Sequence, residues 1–184
     1  MLIELAHVIQ ILHQQGVAHL DLNYKNVLYR KKEGVRIKDL ESISPLNYER
    51  HISLAHPLFS HSNLIKLMGR NKRLLIKPEL DIYSLTALAF FLLEAEYWSN
   101  NTEYINMQVR LNRELKTQKK GYSGSLIQKR RSAYKDIIKT MPNDHPLKEI
   151  YEHVLAEEVA SAEDPYGHYP SLTDIINRLK SLQS

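Results

Sequence analysis

The strongest constraint on the fold is an apolar run at residues 80–95 that leaves almost no polar face. Its apolar side chains are Ile82, Leu85, Leu88, Ala89, Phe90, Phe91, Leu92 and Leu93. A helix that is apolar all round is buried at the centre of a domain, with other elements packed around it. Asp81, in the first turn, suits the helix dipole and is placed to accept hydrogen bonds from backbone amides of a neighbouring loop.

The rest of the chain is predicted to be mainly α-helical. Residues 2–15 repeat apolar side chains with helical spacing, and Gly16 is placed to end that helix. Ser171 and Asp174 resemble a capping box at the start of the last helix. The predicted helices of the second half are 103–118, 126–140, 146–160 and 171–183, with a break at 121–125 that lacks the lysine and spacing of a phosphate-binding loop.

A small β-hairpin is predicted between the first helix and the apolar helix. Its strands are 27–29 and 35–37, joined by a polar turn that contains Gly34. Residues 41–78 show weak periodicity and several turn formers, so we expect an irregular segment with one helical turn at 64–68. This segment carries His51, His56 and His61, for which the spacing favours scattered loop histidines over a zinc site.

Length and composition indicate one globular domain over residues 1–184. The chain has no cysteine, which excludes disulfides and thiolate metal sites, and it has no apolar stretch long enough to span a bilayer. It shows no secretory signal, so a cytoplasmic location is expected.

Positive charge is concentrated in residues 110–139, which contain ten Lys or Arg and only two acidic residues, Glu114 and Asp136, in a chain of net charge +4. A solvated helical surface is favoured over an anion site, and nucleic-acid binding is not expected because no recognised motif or aromatic platform accompanies the charge.

A polar constellation near the beginning of the chain indicates phosphoryl transfer. Asp21 is followed five residues later by Asn26 and eighteen residues later by Asp39. In such a site Asp21 orients or deprotonates the acceptor hydroxyl, while Asn26 and Asp39 hold Mg²⁺ against the phosphates of ATP. The predicted hairpin places Asp39 just beyond its second strand, beside the loop that carries Asp21 and Asn26.

The stretch H-L-D-L-N-Y-K-N, residues 19–26, resembles the catalytic loop of the protein-kinase-like superfamily, H-R-D-L-K-P-E-N in eukaryotic members. I-K-D at 37–39 stands where the magnesium-binding D-F-G is expected. L-D-I-Y-S-L at 80–85 is similar to the D-V-W-S-L-G opening of the family's buried helix, and the D-P at 164–165 with P-S at 170–171 is similar to the lead into its final helix.

This resemblance implies the C-terminal lobe of that fold. It implies that Asp21 and Asn26 are catalytic, that Asn26 and Asp39 bind Mg²⁺ and ATP, and that His19 and Asp81 support the loop. The glycine-rich loop, the phosphate-binding lysine, its glutamate partner and the hinge strand would all lie before residue 1, so we expect an incomplete kinase fold without an N-lobe.

Several positions depart from the eukaryotic pattern. Leu20 replaces the arginine that receives an activation-loop phosphate, Asn23 replaces a lysine that meets the transferred group, and Leu40-Glu41 replaces Phe-Gly. Glu41 is either a further metal ligand or an ordinary exposed acid, and the latter is favoured.

Three functions stay open. One is ATP- and Mg²⁺-dependent transfer to a Ser or Thr hydroxyl of a protein, with an N-lobe supplied by a partner chain or a longer reading frame. The second is a non-catalytic pseudokinase lobe that binds a protein partner. The third is a small-molecule or sugar kinase of the same superfamily.

Overall fold

A mainly α architecture surrounds one central helix. The computed structural model describes residues 1–53, 55–56, 58–102, 104–106, 109, 124–157 and 169–183. About 52% of the structure is helical against 12% strand, so the mainly α prediction is confirmed. The helices are α1 (Leu2–Gln14), α2 (Ser62–Leu67), α3 (Glu79–Leu93), α4 (Ala95–Trp98), α5 (Gly124–Ile138), α6 (Lys148–Tyr151), a π-helical segment (Glu152–Glu157) and α7 (Leu172–Ser181).

The central helix is α3, as its sequence predicts. Every residue from Leu80 to Phe90 is buried. The Phe90 ring is fully buried and meets the rings of Tyr104, Tyr134 and Tyr151 edge-on, with centroids 5.9, 5.1 and 5.3 Å away. Edge-to-face contacts set the positive edge of one ring against the negative face of another. This aromatic cluster joins the middle of the chain to its second half.

The other helices pack around α3. Helix α1 lies against α7 and against the strand that precedes Asp39, while the π-helical segment packs on α5 and α3. Gly16 follows α1 with a φ of 76°, the left-handed conformation that a glycine adopts at little cost. The capping box at α7 is confirmed, since the Ser171 hydroxyl accepts from the Asp174 amide and the Asp174 carboxylate accepts from the Ser171 amide.

The described strands form three antiparallel pairs. They are β1 (Val17–Ala18), β2 (Val27–Arg30), β3 (Gly34–Ile37), β4 (Ser44–Pro45), β5 (Glu49–His51) and β6 (Arg73–Leu75). The predicted hairpin is the β2–β3 pair, with Val27 opposite Ile37. The pairs β1–β4 and β5–β6 were not predicted, so the segment at 41–78 is more ordered than its weak periodicity indicated; its helical turn is α2.

The basic region requires one correction. Lys129 and Lys135 on α5, and Lys139 just beyond its end, are exposed, as expected of a solvated face. Arg130, however, is 1% exposed. Its guanidinium donates to the Ser60 carbonyl at 2.8 Å and lies 4.9 Å from the centroid of the Tyr83 ring, so it is part of the interior.

Other predictions cannot be compared with the structure. Residues 110–123, most of the predicted helix 103–118, most of the break at 121–125 and the D-P pair at 164–165 lie outside the described residues. Within the described part of the chain, no helix has the length and apolar character needed to cross a membrane.

A buried polar cluster closes the end of α3. Glu94, only 3% exposed, accepts a hydrogen bond from the Tyr151 hydroxyl at 2.9 Å and approaches His145 Nε2 at 3.3 Å. His145 Nδ1 accepts from the Leu147 amide, so Nε2 carries the ring proton and donates to Glu94. Burial raises the pKa of the Glu94 carboxyl, and the hydrogen bond from Tyr151 acts in the opposite direction.

Replacing Phe90 by alanine should lower the free energy of unfolding by about 3–5 kcal/mol, because it empties a fully buried aromatic site. The matched control is Leu92→Ala on the same helix, where the side chain is 40% exposed and the expected loss is about 1 kcal/mol or less. Urea denaturation of both variants measures the difference. Equal losses would contradict the central position of Phe90.

Glu94 should make stability depend on pH. Because its folded-state pKa lies above the ordinary value of 4.5, its favourable contribution is complete below pH 4.5 and is lost as the pH rises through the folded-state pKa. In Glu94→Gln the free energy of unfolding should therefore fall less between pH 4.5 and neutrality than in the unmodified chain. The exposed Glu152→Gln is the control, and a slope that is identical in Glu94→Gln and the parent would refute the assignment.

Candidate active site

The loop that carries Asp21 is fixed by a buried carboxylate on α3. Asp81, fully buried, accepts hydrogen bonds from the backbone amides of His19 at 2.7 Å and Leu20 at 2.8 Å. A third contact joins Asp81 Oδ2 to His13 Nε2 at 3.1 Å. Leu20 has a φ of 70°, a left-handed conformation that is costly for a branched side chain and persists only where the surroundings impose it. Asp81 supplies that restraint.

Two asparagine amides hold the Asp21 carboxylate. Asn26 Nδ2 donates to Asp21 Oδ2 at 2.7 Å and also to the Asp21 carbonyl at 2.9 Å. Asn23 Nδ2 donates to Asp21 Oδ1 at 3.1 Å, and Asn23 Oδ1 accepts from the Lys25 amide at 2.9 Å. The predicted pair Asp21 and Asn26 is therefore in direct contact, and one rotamer of Asp21 is preferred.

His19 connects the loop to the β2–β3 hairpin. Its Nε2 lies 3.0 Å from the Lys38 carbonyl, which can only accept, so Nε2 carries the proton. The other nitrogen, Nδ1, then accepts from the Asp21 amide at 3.3 Å. The Lys38 amide donates in turn to the Asn26 carbonyl at 3.0 Å. Lys38 is thus held from two sides, and the next residue is Asp39.

Asp39 follows β3 and is exposed, with a φ of 59°. It lies close enough to Asp21 for its charge to act there. Burial raises the pKa of the Asp21 carboxyl, the hydrogen bonds from Asn23 and Asn26 oppose that rise, and the negative charge of Asp39 adds to it. Asp21 and Asn26 are thus in direct contact, and Asp39 lies close enough for its charge to act on Asp21.

The oxygen atoms of Asn26 and Asp39 are of the type that binds a hard cation. Both contacts of the Asn26 amide nitrogen are made to Asp21, and no described residue donates a hydrogen bond to Asn26 Oδ1. That oxygen and the exposed Asp39 carboxylate are oxygen ligands of the kind that Mg²⁺ takes from proteins. Asn26 and Asp39 therefore have the ligand chemistry that such an ion takes.

The three histidines of the segment at 41–78 differ in their surroundings. No group of three or more His, Asp or Glu side chains in the described ranges is disposed to hold a metal. His56 and His61 are buried, whereas His51 is exposed on β5. The three histidines therefore do not share one environment.

Two parts of the site were not predicted. His13 reaches Asp81 across 68 residues of sequence, and nothing in the local pattern around it signals that contact. Tyr24 stacks on Phe91 and lies edge-on to Phe59 and His56, which places an aromatic cluster directly beside the loop. The only sign of this cluster in the sequence was a tyrosine, Tyr24, within an otherwise polar motif.

No protein-family model matches the chain, and no curated protein matches it significantly. The fold and the site define a mainly α domain in which a loop with one acid and two amides is fixed by a buried aspartate on the central helix. The relation to protein kinases is supported by the sequence motifs alone.

Replacing Asp81 by alanine should free the loop. It leaves the buried amides of His19 and Leu20 without their acceptor, at a cost of about 3 kcal/mol or more. Hydrogen exchange at these two amides should become faster relative to the α3 backbone. Asp81→Asn, which keeps one acceptor oxygen, should show an intermediate effect, and unchanged protection in Asp81→Ala would contradict the role.

Proposed function

We propose that this chain is the C-lobe of a divergent protein-kinase-like domain that takes part in ATP- and Mg²⁺-dependent phosphoryl transfer to a Ser or Thr hydroxyl of a protein. The observation that carries the proposal is the direct contact of Asp21 with Asn26 on a loop fixed by Asp81. The residues that the motif assigns to chemistry are thereby held together, and the residue that it assigns to support makes the supporting contacts.

In this proposal Asp21 orients the acceptor. Its carboxylate is half-buried and held by Asn23 and Asn26. It therefore offers the hydroxyl of the substrate a hydrogen-bond acceptor at a fixed position. A raised pKa brings the carboxyl nearer to the range in which it takes up a proton, as an acid–base group requires. Fixing the geometry beforehand is the larger contribution in phosphoryl transfer, which depends on positioning and electrostatics.

Asn26, through Oδ1, and Asp39, through its carboxylate, would hold Mg²⁺. When bound, the ion offsets the negative charge of the ATP phosphates. His19 contributes by holding the Lys38 carbonyl, which fixes the backbone immediately before Asp39. This hydrogen bond, together with the one from the Lys38 amide to the Asn26 carbonyl, fixes the position of the hairpin relative to the loop.

The proposal includes a second lobe that covers the nucleotide. Leu28, Tyr29 and Leu40 are 49%, 46% and 60% exposed on the hairpin and just after Asp39. Successive strand residues point to opposite faces, so Leu28 and Tyr29 leave a large side chain exposed on each side of the hairpin, where another folded surface could cover it. The same exposed side chains fit the second candidate, a pseudokinase lobe that binds a protein partner without turnover. A small-molecule kinase would use the same Asp21, Asn26 and Asp39.

Removing the Asp39 carboxylate should weaken nucleotide binding in the protein supplied with a covering lobe. We expect titration calorimetry with Mg-ATP to show a Kd at least about tenfold higher in Asp39→Ala, because a charged oxygen ligand is lost. The control is Glu49→Ala, which removes an exposed carboxylate on β5. In the 184-residue chain alone, Mn²⁺ should broaden the NMR signal of the Asn26 side-chain amide.

The outcomes separate the candidates. Nucleotide binding with loss of transfer in Asp21→Ala supports the kinase. Nucleotide binding without transfer in the unmodified protein supports the pseudokinase lobe. No Mg-ATP binding in the two-lobed protein, together with no Mn²⁺ effect at Asn26, would overturn the proposal.

A further inference from the structure

An aromatic stack ends beside the loop that carries Asp21. The ring of Phe91 stacks on Trp98, with centroids 5.3 Å apart and planes 8° apart, and also on Tyr24, at 5.7 Å and 25°. The Trp98 indole donates to the Phe91 carbonyl at 3.2 Å, which fixes the base of the stack. Tyr24 is its outer member and is 42% exposed. It is a rigid aromatic face open to solvent.

A lysine lies over that face. Lys25 Nζ is 5.7 Å from the centroid of the Tyr24 ring, within the range of a cation–π contact. The Lys25 backbone is fixed by its hydrogen bond to Asn23 Oδ1. Asn23 and Asn26, the neighbours of Tyr24 and Lys25 in the chain, are the two residues that hold the Asp21 carboxylate. The position of the cation is therefore tied to that of Asp21.

Lys25 supplies a positive charge to this surface, whereas its neighbour His56 does not. His56 lies 6.2 Å edge-on from Tyr24, but burial, together with the charges of Lys25 and Arg130, lowers the pKa of His56 to about 4. The imidazole is therefore neutral at physiological pH. Arg130 is itself buried. Lys25 is exposed and presents the charge to solvent.

We propose that Tyr24 and Lys25 form a specificity surface that selects an acidic peptide segment, in which a glutamate or aspartate flanks the Ser or Thr placed at Asp21. This inference rests on the proposed function, because it takes Asp21 as the acceptor-binding residue. Both side chains are open to solvent, which suits an extended segment of a protein. The carboxylate pairs with the ammonium group, and the aromatic face contacts the peptide.

The rigidity of the stack matters for selectivity. Tyr24 is held by Phe91 and Phe59, so little side-chain freedom is lost when a peptide lies on it. The cation–π contact keeps the Lys25 ammonium near the ring. A basic flank would meet the same charge with repulsion, which discriminates against basic peptides as well as favouring acidic ones.

The test uses the 184-residue chain and two fluorescein-labelled peptides of equal length, without nucleotide or Mg²⁺. Each peptide has one serine, flanked by glutamates in one and by lysines in the other. Fluorescence polarisation at low salt should show the glutamate peptide binding about fivefold more tightly or better, the upper range for an exposed ion pair. Lys25→Glu should abolish or reverse this preference, and Lys25→Arg should retain it.

The matched control is Lys32→Glu, which makes the same charge change at an exposed position in the hairpin turn. It should leave the preference intact, and Tyr24→Ala should weaken binding of the glutamate peptide. A preference unchanged in Lys25→Glu, one lost equally in Lys32→Glu, or no binding of either peptide would each overturn the inference. Because the assay contains no nucleotide, its result is independent of Mg-ATP binding, so failure of the proposed function is recognised separately.

Discussion

The site depends on one buried carboxylate. Asp81 is placed in the first turn of α3, where the helix dipole favours negative charge, and it meets two consecutive amides of the loop. Those hydrogen bonds compensate for removing the charge from water and hold Leu20 in a left-handed conformation. The apolar character of α3 therefore has a consequence beyond stability: because the helix is buried, Asp81, which holds the polar loop, is buried with it.

Further hydrogen bonds, each with a defined donor and acceptor, connect the loop held by Asp81 to the β2–β3 hairpin. The His19 ring receives from the Asp21 amide and donates to the Lys38 carbonyl, so its tautomer is determined by its neighbours. Asn26 then joins Asp21 to the hairpin through its side chain and its carbonyl. A loop without regular secondary structure thus has a defined geometry, as a site that works by positioning requires.

Much of the local structure could be predicted from the sequence. The apolar run, the end of α1 at Gly16, the capping box at Ser171 and the β2–β3 hairpin all have short-range patterns. The strands β1, β4, β5 and β6 have only two or three residues each, too few for an alternating pattern. Arg130 was misassigned because a charged residue in a basic helix indicates a surface, whereas a distant carbonyl and a tyrosine ring accept it inside. The candidate residues were found through a motif, while the His13 contact depended on tertiary packing alone.

The chain contains a single tryptophan, and its position gives the molecule a built-in optical reporter. Trp98 is stacked on Phe91, whose ring also contacts Tyr24 of the loop. Any displacement of Tyr24 alters the surroundings of Phe91 and therefore those of the indole. The intrinsic emission of the unlabelled protein consequently registers events at the loop from a tryptophan in α4.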